Sequence, residues 1–129
     1  MPWTVLFHES FAAEVLAMEA LLRRELLAHT ELLRLHGPQL GRPAVDTLKG
    51  SRHANMKELR FGWQGGAWRV AFVFDSKRRA VLLAGGDKGG KDQRRFYRQL
   101  IRVADERLQT YLETLAEEEE QNGNGQESR

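Results

Sequence analysis

The chain is 129 residues long, with 41% hydrophobic residues, no cysteine and a formal net charge of +2. That length suits one domain, which can bury roughly two thirds of its unfolded surface without a disulfide or metal. The missing cysteine excludes a disulfide scaffold, a thiolate zinc site and a cysteine nucleophile, and no apolar run reaches the ~18 residues of a membrane span.

The opening MPWTVLFHESF lacks a basic region followed by an apolar stretch and a small-residue cleavage site, so it reads as mature, cytoplasmic sequence. Trp3 to His8, rich in β-branched and aromatic residues, predicts a short strand. Ser10 is a candidate N-cap. Phe11, Val15, Met18, Leu22, Leu26 and Leu33 then recur at helical spacing. The stretch is long for one helix and predicts a helical hairpin, broken between Met18 and Arg24 without proline or glycine. Gly37 and Pro38 stop the second helix. Residues 37–54 predict a long loop. Three strands follow, Asn55 to Phe61, Ala67 to Asp75 and Arg79 to Ala84, joined closely enough to be antiparallel neighbours. A last helix, capped by Asp92, runs to about Glu119 and presents Phe96, Leu100, Ala104, Leu108 and Leu115 on one face. The expected fold class is α+β: an antiparallel, mostly four-stranded sheet with two N-terminal helices and one C-terminal helix, all on one face. Residues 1–116 are the expected domain and 117–129 an acidic, disordered tail.

The small net charge hides an asymmetry. Residues 1–48 carry net −2, residues 49–102 net +10 and residues 103–129 net −6. A basic field on strands and their loops attracts a polyanion, and RNA or DNA is the usual one. A solvated basic face without a partner is the plainer alternative.

Residues 85–92, GGDKGGKD, nearly match a nucleotide-binding phosphate loop, but Asp92 stands where the magnesium-holding hydroxyl belongs. Its glycines, the helix start and the charges of Lys88 and Lys91 could still receive a phosphate. Alternation puts Trp68, Val70, Phe72 and Phe74 on the core face and Arg69, Ala71 and Val73 on the other. Glu58 and Arg60 likewise oppose Lys57 and Leu59. RNA cleavage without a metal needs a base for the 2′-hydroxyl, a cation for the phosphorane and an acid for the leaving 5′-oxygen. Arginine suits the second role, and lysine, tyrosine or histidine the others. Of four histidines, His8, His29 and His36 fit structural places, and only His53 lies in the basic loop.

At this point the chain resembles the RelE/HigB superfamily of bacterial toxins, in its phage-derived, host-growth-inhibiting branch. The resemblance runs from about Val5 to Leu112. GPQLGRPAVDTLKGSRHANMKELR, residues 37–60, and WRVAFVFD, residues 68–75, carry it most specifically. It implies ribosome-dependent cleavage of messenger RNA and inhibition by a helix-turn-helix antitoxin, with operator DNA bound only through the antitoxin complex. It also implies that Arg69 contacts the scissile phosphate, that Lys91 is the basic residue before the last helix and that Tyr97 is the tyrosine at its start. The paired lysines of RelE-like members are incomplete, since Lys57 has Glu58 beside it.

The combined expectation is a toxin with endoribonuclease activity and no metal or cofactor. Lys57, Arg60, Arg69, Lys91 and Tyr97 are the candidate catalytic residues, and Lys49, Arg52, His53, Lys88 and Arg94 the candidate RNA contacts. Two rivals stay open: a binder that blocks the ribosome without cutting, and a decayed toxin that keeps only antitoxin binding.

Overall fold

The computed structural model describes residues 2–127, with side chains from 2 to 121. In chain order it has β1 (Thr4–Phe7), α1 (Glu9–Leu16), α2 (Ala20–His36), a 3₁₀ turn (Gly37–Gln39), β2 (Val45–Thr47), β3 (Lys57–Trp63), β4 (Gly66–Phe74), β5 (Arg79–Asp87) and α3 (Gln93–Glu127). The strands form one sheet in the order β1-β5-β4-β3-β2. Three pairings are antiparallel, and β1 runs parallel to β5 at the edge.

The sheet therefore has five strands rather than mainly four, and it is mixed. The additional strand is β2, inside the expected 37–54 loop. Its three residues pair Val45 with Leu59 and Thr47 with Lys57. The final strand runs on to Asp87, so Gly85 and Gly86 belong to β5. The last helix continues through the acidic run to Glu127, past the expected end near Glu119.

Helices cover both faces, which corrects the single-face expectation. Phe11, Leu22, Leu26 and Leu33 of α1 and α2 pack on Leu59, Val70, Phe72 and Leu82. Leu100, Ala104 and Leu108 of α3 pack on Ala71, Val73, Val81 and Leu83. Ala71 and Val73 lie on the face that alternation left open. They are fully apolar there, and such a strip gains about 25 cal/mol per Å² once covered.

A bulge in β5 keeps both faces apolar. Ala71 pairs with Ala84 while Phe72 pairs with Leu82, which leaves Leu83 as the extra residue. Leu83 and Ala84 thus both join the α3 side. The Leu83 carbonyl accepts a 2.8 Å bond from Arg107 Nη1, and the same guanidinium pairs with Glu14 of α1.

Two local details differ from the sequence expectation. His8 caps α1, its Nδ1 accepting from the Ser10 N–H at 3.1 Å, so Ser10 is already helical. The break between α1 and α2 falls at residues 17–19. Arg23 Nη1 donates to the carbonyls of Leu16 at 3.0 Å and Met18 at 3.2 Å, satisfying the end of α1 without glycine or proline.

Candidate functional site

The β3–β4 ladder places Arg60 directly opposite Arg69, and Glu58 opposite Ala71. These side chains share the face that α3 covers. The helix starts there, so its first turns meet the strands. Asp92 fixes that start by accepting the Arg95 N–H at 3.1 Å. Tyr97, one turn in, reaches down to the sheet. Its hydroxyl lies 3.0 Å from each carboxylate oxygen of Glu58.

The result is a pocket of 320 Å³ lined by Asp46, Thr47, Leu48, Lys49, Glu58, Arg60, Lys88, Gln93 and Tyr97. Glu58 is its buried floor, 3% exposed. Arg60 Nε donates to Glu58 Oε1 at 3.1 Å, and Arg69 Nε lies 3.9 Å from the same oxygen. Arg60 also faces Asp46 at 3.8 Å. Arg69 Nη1 donates to the Trp68 carbonyl at 2.8 Å, but its Nε is buried without a hydrogen-bond partner. A buried donor left unpaired costs about 1–3 kcal/mol and marks a place where an acceptor is wanted.

Electrostatics follow from this arrangement. Burial, together with the charge and hydrogen bond of Glu58, pushes the Tyr97 phenol above its usual range, although Arg69 pulls it back in part. Tyr97 is thus held as a neutral donor. Burial weakens the charged form of Arg60, but Glu58, Asp46 and Tyr97 more than restore it. The Thr47 N–H, Arg42 and Arg60 hold Asp46 below the ordinary carboxylate range. Lys88 Nζ lies 5.8 Å from the Tyr97 ring centre. The pocket lining therefore sets the Arg60 guanidinium and the Lys49 and Lys88 ammonium groups beside the carboxylates of Glu58 and Asp46, with the Tyr97 hydroxyl on Glu58; Arg69 stands off the lining, 3.9 Å from Glu58 Oε1.

Arg60, Arg69 and Tyr97 thus come together among the candidate residues, with Lys49 and Lys88 on the lining. Other candidates sit elsewhere. Lys57 is the register partner of Phe72 and falls on the α1–α2 side of the sheet. Arg52 and His53 line a separate 400 Å³ groove with Asp75, Tyr111 and Leu112. Lys91 lies over the Phe96 ring at 5.9 Å, beside Gly85, Gly86 and Arg107. Arg94 is exposed on the first turn of α3.

The glycine loop also differs from the phosphate cradle read in the sequence. Asp87 Oδ1 accepts the N–H of Ala67 at 2.9 Å and of Gly89 at 2.8 Å. The Lys88 N–H donates to Ala67 O and the Lys91 N–H to Lys88 O. Those donors are already used within the loop. Gly66 is required for this closure, because a side chain there would collide with the Asp87 carboxylate. What the loop contributes to the pocket is the Lys88 side chain.

Glu58, Asp46 and Gln93 are pocket residues that the sequence reading did not select. Glu58 was within reach, since strand alternation alone puts it on the face of Arg60. Among the described residues, no group of three or more His, Cys, Asp or Glu could hold a metal ion, and no helix is long and apolar enough to cross a membrane.

Comparison with known proteins agrees with this architecture. Residues 13–109 match the family described as phage derived protein Gp49-like. The chain is 47% identical over 88 residues to a Mycobacterium tuberculosis protein assigned as toxin HigB2, covering 67% of this chain and 43% of that protein. It thus spans under half the length of that relative. It is 46% identical over 82 residues to a second one, assigned as toxin HigB3, covering 64% of this chain and 69% of the other. Its fold resembles a solved structure of a doubly substituted E. coli toxin RelE in the free state, with TM-score 0.53, 13% identity, and coverage of 78% of this chain and 95% of that one. The chain belongs to the phage-derived Gp49-like family, has HigB toxins among its relatives and carries a RelE-like fold.

Proposed function

We propose that this protein is the toxin of a toxin–antitoxin pair and cleaves messenger RNA on the ribosome. One observation carries the reading: Arg60, Arg69 and Tyr97 converge on Glu58 at the floor of a pocket edged by Lys49 and Lys88. Such a pocket matches a phosphodiester passing through a transition state with extra negative charge. The arginine fork suits two phosphate oxygens, and the neutral phenol, whose single O–H rests on Glu58, suits proton donation or a hydrogen bond to a developing oxyanion once it turns to the substrate. The attacking group is the neighbouring ribose 2′-hydroxyl, so the chemistry needs no metal. Lys91 and Arg94, away from the pocket, fit contacts to flanking phosphates, as do Arg52 and His53 at the far groove. Lys57 would act only if the message reaches around the edge at β2. The partner that silences the protein is a helix-turn-helix antitoxin, as the family resemblance implies.

The test is induction of wild type and of Arg69→Ala in bacteria that lack the antitoxin, with transcript ends mapped. New cuts inside translated frames, absent in the variant, support the reading. Growth arrest without cuts would make the protein a binding inhibitor, and no arrest would remove the toxin assignment.

A further inference from the structure

We infer that Glu58 is the positioning residue of this pocket: its buried carboxylate fixes the Tyr97 hydroxyl, accepts a hydrogen bond from Arg60 Nε and supplies the counter-charge nearest Arg69. The inference rests on the proposed RNA-cleaving reading for what the pocket is used for, but not for the geometry.

Three observations carry it. The first is convergence. A hydroxyl and two guanidinium groups from three elements, α3, β3 and β4, point at one carboxylate. The second is burial. Glu58 is 3% exposed and lies beneath Tyr97 and Arg60, so a substrate entering the pocket meets those groups before the carboxylate. The third is how the arginines are held. Arg60 Nε donates to Glu58 at 3.1 Å, whereas Arg69 Nε stands 3.9 Å from the same oxygen, at ion-pair distance without a hydrogen bond. Arg60 is thereby fixed by its inner nitrogen, and its Nη2 faces Asp46 at 3.8 Å.

Without Glu58, two guanidinium groups would stand opposite each other with no buried counter-charge. Like charges at opposed ladder positions repel. Tyr97 would also lose the two carboxylate oxygens its hydroxyl faces. A carboxylate here offsets the repulsion of the pair and, second to burial, holds the phenol above its usual range. The charged groups around Tyr97 are Glu58 and Arg60 of β3, Arg69 of β4 and Lys88 of the β5–α3 loop. Asp46 and Lys49 line the same pocket. The cations among them favour phenolate, so Glu58 is the charge that opposes it most directly.

The sequence holds only two tyrosines. Their ring ¹³Cζ signals, assigned with Tyr97→Phe and Tyr111→Phe, can be followed by NMR across alkaline pH in wild type and Glu58→Gln. Glutamine keeps the shape and an acceptor but removes the charge. The expected result is that Tyr97 of wild type remains neutral beyond the ordinary midpoint near pH 10. In Glu58→Gln it should ionise about one pH unit earlier. An unchanged Tyr97 midpoint in a folded Glu58→Gln protein overturns the inference. Should that variant fail to fold, wild type decides alone, because a Tyr97 that titrates like a free tyrosine also overturns it. In single-turnover cleavage of ribosome-bound message, Glu58→Gln should be slowed roughly tenfold, with message affinity within about threefold of wild type. Glu58→Asp, which keeps the charge, should recover part of the rate. Equal rates for wild type and Glu58→Gln would count against positioning. A wild type that cleaves nothing overturns the RNA-cleaving reading, and the tyrosine titration then still decides the role of Glu58.

Discussion

Arg60 and Arg69 are direct register partners across β3 and β4, two cations facing each other on the α3 side of one ladder. Glu58 Oε1 is 3.1 Å from one Nε and 3.9 Å from the other. This arrangement predicts an uneven response to mutation. Arg69→Ala relieves repulsion and leaves Arg60 on Glu58, so its unfolding midpoint in urea should stay close to wild type. Its RNA cleavage should fall about 100-fold or more. The double variant Arg60→Ala/Arg69→Ala strips the buried carboxylate of both cations and should be less stable by about 3–5 kcal/mol. Equal stability of the single and double variants would refute the shared-counterion view.

Asp105 of α3, 5% exposed, pins the loop between β2 and β3. It accepts from the Ser51 hydroxyl and from the Arg52 N–H at 3.1 Å, and Ser51 in turn caps the His53 N–H at 2.9 Å. Lys49 of the pocket sits at the root of that loop. Asp105→Ala should cost about 2 kcal/mol in urea unfolding, from buried donors left unpaired. Amide exchange should rise across residues 49–53 while the β3–β5 core stays protected. Protection unchanged in the loop would show that other contacts hold it.

A second polar cluster, at the opposite end of the sheet, governs how stability varies with pH. Burial pushes the Asp75 carboxyl up, but bonds from the Arg79 side chain, the Arg79 and Lys77 N–H groups and the Tyr111 hydroxyl outweigh it and hold it low. A carboxylate depressed in the native state stabilises above its unfolded value near pH 4, and that contribution is lost as pH falls through the native value. The stability gap between wild type and Asp75→Asn should therefore shrink between about pH 5 and pH 2. Burial, followed by Asp75, pushes Tyr111 up to about 12. Its contribution is intact below about pH 10 and disappears as pH rises through the native value. Tyr111→Phe should be flatter than wild type across that alkaline window. Urea midpoints measured at each pH check both limbs.

Arg107 joins three elements, α3, β5 and α1, by bonding the Leu83 carbonyl at the bulge and pairing with Glu14. Arg107→Met keeps much of the stem but leaves that carbonyl unpaired. A loss of about 1–3 kcal/mol is expected, against under about 1 kcal/mol for Glu14→Gln, because the exposed carboxylate side of the pair is screened by water. Parallel urea curves for the two variants distinguish them. A Glu14 effect as large as the Arg107 effect would place the energy in the ion pair instead.

Much of this architecture was legible from periodicity. Phe11, Leu22, Leu26 and Leu33 announced a buried helical face, and β3, β4 and most of β5 followed from alternation and short turns. Three features were not legible for physical reasons. β2 is three residues long behind Pro43, too short to show a period, and exists because the β3 edge offers it a partner. The α1–α2 break is closed by Arg23, a side chain that ordinarily marks neither a stop nor a turn. The second apolar face was hidden because Ala71 and Val73 are small, and the bulge at Leu83 shifts the phase of β5. Within the site, Arg60, Arg69 and Tyr97 were within reach, yet Lys57 was grouped with them although alternation placed it on the opposite face. Glu58 went unselected because, although alternation put it on the face of Arg60, it was weighed as a missing lysine.

The order of the elements along the chain constrains when the pocket can exist. β1 must wait for residues 79–82 before it has a partner, a separation of about 75 residues that slows closure of the sheet. Tyr97 and the helix that covers Ala71 and Val73 come later still. During vectorial synthesis, therefore, the cationic pair of β3 and β4 emerges first, without its lid or its phenol. A nascent chain interrupted before α3 carries the arginines but exposes a bare apolar strip beside them. Completion of the pocket and burial of that strip both wait for the first turns of α3, so the one is not reached without the other.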